Sequence, residues 1–252
     1  MIFNNSIGIK QTIRYEWMNY TVDLIKSGLN NDEIKKELFT YLSERKGNGK
    51  IGDRAEKTMS LAVTILMNIW IAPKNGLTNF RDKLLNVMNQ NNRLICHWAM
   101  ISSAYPFWFN MSYTIGSLFK HQDRVKKSQI MSRTYEILGE RNTVERCSRY
   151  VIRSFISWNL IKDDGKAGFY KKNKILDVSD IQLVCILIEA LLNAIPEERI
   201  PLNTILNCPA FFNFSIPLIN GANISKENQN ISIERFSVNE EYVSLKNKIY
   251  KG

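Results

Sequence analysis

The segment from Asn142 to Trp158 constrains this chain most, because it reads as one helix with two opposed faces. Its apolar residues are Val144, Cys147, Val151, Phe155 and Trp158. At about 100° per residue they fall within a stripe about 80° wide. Arg146, Arg149 and Arg153 fall within about 60° of one another, almost opposite that stripe. One face must pack, and the other presents three guanidiniums in a row. Asn142 and Glu145 have the spacing of a capping box, with Asn in place of the usual Ser or Thr. Asn142 is therefore expected to cap this helix, with Glu145 as its partner.

The flanks of this helix are equally patterned. Phe107 to about His121 reads as an apolar-rich helix, and Ser128–Leu138 as a short one stopped by Gly139. After Trp158 come Leu160-Ile161-Lys162, a turn from Asp163 to Gly168, and Phe169-Tyr170-Lys171-Lys172. Two short extended pieces around a glycine-containing turn predict a β-hairpin. Asp163 and Asp164 read as residues of that turn. Lys166 stands at the tip, with Lys171, Lys172 and Lys174 on the return, while Arg124, Lys126 and Lys127 precede the short helix.

Charge is concentrated in the same region. Residues 120–174 hold 14 Lys/Arg and 6 Asp/Glu, a net of +8, whereas the whole chain carries only +10. A generic solvated surface spreads its charge more evenly, so a polyanionic partner is expected here.

The first third predicts a run of helices. One covers Glu16–Ser27 and stops at Gly28; a second opens at Asn31-Asp32-Glu33 towards Leu42. Residues 47–52 are glycine-rich and read as a loop. Asp53 is expected to cap a third helix that Pro73 ends, and Thr78 a fourth through about Asn89; a fifth covers about Arg93 to Ala104. The last quarter opens with a helix near Ser179–Ala194. Four prolines from Pro196 to Pro217 then space out an irregular stretch. Alternation at Ile231, Ile233, Phe236 and Val238 predicts a second hairpin within Asn230–Leu245.

Several classes find no support. With 44% hydrophobic residues the chain is globular in composition. Met1–Lys10 lacks the apolar stretch of a secretory leader. The apolar runs Met59–Ala72 and Ile181–Ile195 are short and contain Asn68 and Glu189, so they read as buried helices. The widely spaced Cys96, Cys147, Cys185 and Cys208 suggest reduced, buried thiols, with neither a disulfide framework nor a zinc site. His97 sits in an apolar setting and reads as a core residue; His121 is expected to be exposed. Tyr105-Pro106-Phe107-Trp108-Phe109 is aromatic enough to stack on bases, but reads better as core. Phosphate-cradling glycine motifs and clustered nuclease carboxylates are absent.

The block Ser128–Lys174, SQIMSRTYEILGERNTVERCSRYVIRSFISWNLIKDDGKAGFYKKNK, resembles the winged helix-turn-helix superfamily of DNA-binding proteins. Its phrase SFISWNLI, then a charged glycine turn and an aromatic, is typical of a recognition helix running into a wing. KSGLNNDEIKKELF together with RNTVERCSRYVIRSFISWNLI is similar to the BrxA-like accessory proteins of BREX phage-defence systems. The likeness covers about residues 8–162, rests on layout, and ends before the longer C-terminal stretch. These resemblances imply binding of double-stranded DNA without catalysis, cofactor or metal, in the cytoplasm and away from membranes. Other proteins of a defence complex are possible partners.

The expected fold is mainly α: a helical N-terminal region over 1–106, a winged helix-turn-helix over 107–178 and a small α+β extension over 179–252. Thr143, Arg146 and Arg149 are expected to reach base edges and Arg153 the backbone, with Asn142 also counted among the DNA-binding residues. Lys166, Lys171, Lys172, Lys126 and Lys127 are expected to hold phosphates. Glu145 has a second possible role, accepting from a cytosine amine. The competing expectations are a scaffold within a larger protein complex and a transcriptional regulator.

Overall fold

The computed structural model describes residues 3–74, 76–173, 175–237 and 240–246. The chain is mainly α. It opens with helix α1 (Tyr15–Lys26), which Gly28 ends at φ +83°, and α2 (Asn31–Ser43). Asn30 caps α2 through its side chain, and Glu33 reaches back to the Asn30 N–H. Helix α3 (Glu56–Leu66) runs into a π-helical turn, Met67–Ile71. Then follow α4 (Thr78–Val87), α5 (Arg93–Ala104) and α6 (Pro106–Phe119).

Two expected caps do not form. Helix α3 starts at Glu56 after Ala55, beyond the reach of Asp53, and no side chain caps it. Thr78 is already the first residue of α4, following Leu77. Arg81 instead ties the start of α4 to the π-helical turn, donating to the Ile71 carbonyl at 2.8 Å.

The middle of the chain contributes strand β1 (Arg124–Lys126), α7 (Lys127–Leu138), α8 (Asn142–Ser157), β2 (Ile161–Asp163) and β3 (Phe169–Lys172). The predicted hairpin is β2–β3. Strand β1 adds to its other edge, giving an antiparallel sheet ordered β1-β3-β2. Helix α7 stops at Gly139, at φ +80°. Asn159, at φ 60°, turns the chain from α8 into β2, a conformation Asn tolerates better than most residues.

The C-terminal part contains β4 (Leu176–Asp177), α9 (Ile181–Ala194), β5 (Ile200–Pro201) and α10 (Leu202–Leu206). It closes with β6 (Phe214–Ser215), α11 (Gly221–Glu227), β7 (Ile231–Ser237) and β8 (Glu240–Leu245). The second predicted hairpin is β7–β8, with β5 added on its β8 side; Val238 lies outside the described residues. Strand β4 pairs in parallel with β6. Helix α9 is buried on nearly all sides and packs on α5. No helix among the described residues is long and apolar enough to cross a membrane.

Glu189 is the polar exception inside α9. Its carboxylate accepts from Lys83 Nζ at 3.0 Å, and from the side-chain amides of Asn228 and Asn230 at 2.8 Å each. One acid thus ties α4 and the start of the C-terminal hairpin to the central helix. The Glu189→Ala variant leaves two amides short of an acceptor, while the partly exposed Lys83 can turn to water. We expect it to lose about 2–4 kcal/mol of stability, read as a lower urea midpoint at unchanged slope.

Candidate nucleic-acid interface

Helix α8 buries Val144, Cys147, Ser148, Val151, Ile152, Ser154 and Phe155, and leaves Arg146, Arg149 and Arg153 exposed. The predicted segregation of faces is therefore present, on one unbroken helix. Its setting is fixed by rings. Trp108 of α6 meets Phe155 at 4.6 Å and Trp158 at 4.7 Å between centroids. Two hydrogen bonds hold the N-terminal segment beside it: the Ile13 N–H donates to Ser154 Oγ (2.9 Å), and Trp158 Nε1–H donates to the Ile13 carbonyl (2.8 Å).

The three arginines are not equivalent. Arg149 is ion-paired with Glu145, one turn earlier on the same helix. Arg146 and Arg153 make no hydrogen bond or ion pair among the described residues. The expected capping box is absent. Arg141 occupies the N-cap position without a side-chain cap, and Asn142 is the first helical residue. Asn142 therefore lies one position too far along to cap, and the Glu145 carboxylate turns to Arg149. The result leaves Asn142 and Thr143 exposed at an uncapped helix start.

The sheet beside α8 divides its residues by face. Val125, Ile161 and Tyr170 point into the core. Register places Arg124 opposite Lys171, Lys171 opposite Lys162, and Lys126 opposite Phe169, so these share the outer face. Three cations in one cross-strand row repel one another. Asp164 resolves this: its carboxylate, only 3% exposed, pairs with both Arg124 and Lys171. Asp164 is thus more than the turn residue expected of it. Arg124 and the tip residue Lys166 also approach the Phe169 ring, at 5.5 and 5.1 Å from its centroid, with Lys126 at 5.5 Å. That is cation–π range.

The predicted basic residues therefore sort into groups. Lys126 ends β1, and Lys127 begins α7, its N–H donating to the Gly168 carbonyl at 2.8 Å. That bond anchors the hairpin to the start of α7. Lys166 and Lys171 lie with Arg124 and Lys126 around Phe169 and Asp164. Lys172 does not join them, because it shares the opposite face with Ile161 and borders a groove with Gly116 and Phe119. Lys174 lies outside the described residues. Sequence reasoning did not assign Lys162 or the Arg124–Asp164 pair to this face. The alternation of Arg124-Val125-Lys126 against Phe169-Tyr170-Lys171 is the signal that carries it.

Other chemistry-bearing residues are buried. His97 lies among Tyr15, Trp70 and Trp158, with Nε2 3.0 Å from Asn19 Oδ1. Burial, aided by nearby Arg93, pushes its pKa down to about 3, so the ring stays neutral. Burial pushes the Cys96 and Cys208 thiols up to about 12 and Cys185 to about 11. Phe107, Trp108 and Phe109 are core. Among the described residues no group of three His, Cys, Asp or Glu side chains is placed to hold a metal ion. No family model matches the chain, and no curated protein or solved structure matches it either.

The Lys171 hydrogen bond, then the Arg124 charge, hold the Asp164 carboxyl below its ordinary range. A lowered folded-state pKa stabilises above the unfolded value and is lost as pH falls through the folded one. Asp164→Asn is expected to melt below the native protein at pH 7. The gap should close as pH drops below the usual carboxylate range, as followed by circular dichroism. A gap independent of pH would contradict the assignment.

Proposed function

We propose that this chain binds double-stranded DNA, without catalysis, through a winged helix-turn-helix made of α6, β1, α7, α8 and the β2–β3 hairpin. The order helix, strand, helix, helix, hairpin, with β1 closing a three-stranded sheet, supports that reading. What carries it is the outward face of α8. Two guanidiniums there lack any partner among the described residues, on a helix whose other face is locked into the core.

In this reading α8 enters the major groove, which admits a single α-helix. Asn142, Thr143 and Arg146, near its uncapped start, meet base edges. Arg149 must first leave Glu145. That exchange costs little, since an exposed i,i+4 pair is worth only about 0.3–0.5 kcal/mol. Arg153 meets the backbone. Lys166, Lys126 and Lys127 hold phosphates, and Lys171 contributes only through the net single positive charge of the Arg124–Asp164–Lys171 cluster. Lys172 serves no part of this face. With the resemblance to BrxA-like proteins, we place the protein in the cytoplasm as an accessory of phage defence, needing no cofactor.

The reading is tested by fluorescence-anisotropy titration of a random-sequence duplex at low and moderate salt. Binding should be tight and salt-sensitive. Arg146→Ala should cost about 1–3 kcal/mol if its fork holds a guanine edge, and more than Arg149→Ala, whose charge is already shared. An R146A/R149A/R153A variant that folds and binds duplex as the native protein does would remove the proposal.

A further inference from the structure

A cleft of about 540 Å³ opens at the C-terminal half of α8. Tyr150 and Arg153 form one wall, Gln11 and Arg14 the floor, and Gly47 and Asn48 the other wall. These pieces come from three distant parts of the chain. We infer that this cleft receives a backbone phosphate of the same duplex, so that the loop after α2 acts as a second basic arm opposite the hairpin. The inference rests on the DNA-binding reading of α8.

The loop is built to project. Arg45 bridges to Ile51, the Lys46 N–H donates to the Lys50 carbonyl at 2.8 Å, and the Gly49 N–H donates to the Lys46 carbonyl at 2.8 Å. The Lys50 N–H donates to Asn48 Oδ1 at 3.1 Å. Gly49, at φ +84°, comes so close to Arg14 that a Cβ there would stand 2.5 Å from Nε. The loop is thereby seated on the arginine with its tip exposed.

Charge gives the cleft its preference. Lys46 and Lys50 are exposed and have no ion-pair partner among the described residues; Arg153 likewise. Of the acids close in sequence, Glu16 pairs with Arg14, so that pair adds no net charge, and Glu44 lies 3.8 Å from Arg45. Among the described residues no carboxylate lines the cleft, and the buried Ser157 hydroxyl on its wall has no hydrogen-bond partner. The segment carrying Arg14 runs alongside α8. Its Ile13 binds Ser154 and Trp158. The end of the guanidinium row at Arg153 therefore has Arg14 and the loop that carries Lys46 and Lys50 beside it. A duplex seated on the row would pass its backbone along that loop.

The test is a salt series with the full chain and the same duplex. Lys46→Ala/Lys50→Ala should lower the slope of log K against log salt by about one to two and weaken binding about three- to tenfold. Asn48→Asp keeps the acceptor for the Lys50 N–H and should melt as the native protein does, yet weaken binding about tenfold by setting a carboxylate against the phosphate. Slopes and affinities within twofold of native for both variants overturn the inference, even where R146A/R149A/R153A still abolishes binding and the helix reading stands. Absence of duplex binding by the native protein ends both. Inorganic phosphate at matched ionic strength should leave the variants' effects intact. Their disappearance would assign the cleft to a free anion and overturn the backbone role.

Discussion

The rotational setting of α8 is the constraint on which the rest depends. Trp158 and Ser154 are pinned to the backbone of Ile13, and Phe155 and Trp158 are wedged against Trp108. A turn of about 100° in either direction would carry an arginine into that aromatic core, where an unpaired guanidinium is prohibitively costly. It would also strand the indole N–H. Both faces of the helix therefore demand the same orientation, and neither can relax without the other. The outward position of Arg146 and Arg153 follows from the packing of residues that never touch solvent.

The sheet solves a different problem by a related device. Its outer face gathers cations, with Arg124, Lys171 and Lys162 standing directly across from one another. One buried carboxylate, Asp164, holds the row together while leaving the face positive. Phe169 adds a ring that three further contacts share. Such a face keeps its field while the side chains stay ordered, which lowers the entropy lost when an anion arrives. The groups most firmly organised, Lys171 and Arg124, are for that reason the least able to move towards a ligand. On the proposed function, direct contacts would fall to Lys126, Lys127 and Lys166, whose side chains lie outside the ion-pair triad.

Much of this was legible in the sequence because it is local. Helix α8 declares itself by the opposition of Val144, Cys147, Val151 and Phe155 to three arginines, and α5 by its run from Arg93 to Ala104. Gly28 and Gly139 mark real stops. What failed were features that depend on distant partners or on a single residue's offset. Strand β1 is three residues long, two of them charged, and exists only because β3 lies 45 residues away in the chain. The short β4–β6 and β5 pairings have the same origin. The Asn142 cap failed by one position, since Arg141 already has the extended backbone of an N-cap residue. The wall that Gly47 and Asn48 add beside Arg153 is invisible in sequence for the same reason as β1: its partner is a hundred residues further on.

Read together, the charges describe a surface with direction as well as sign. The chain's excess of positive charge is concentrated in residues 120–174, and the fold then sorts it. Lys172 is turned away by strand alternation, Lys171 is held by Asp164, and Arg149 is held by Glu145. On α8, Arg146 and Arg153 make no ion pair among the described residues, and Arg153 shares a cleft with Gly47 and Asn48. On the proposed function, the field of these charges would orient a long polyanion before contact without reading sequence. Discrimination between sequences would then, on that same proposal, fall to the open start of α8, where Asn142, Thr143 and Arg146 are exposed and make no side-chain cap or ion pair among the described residues.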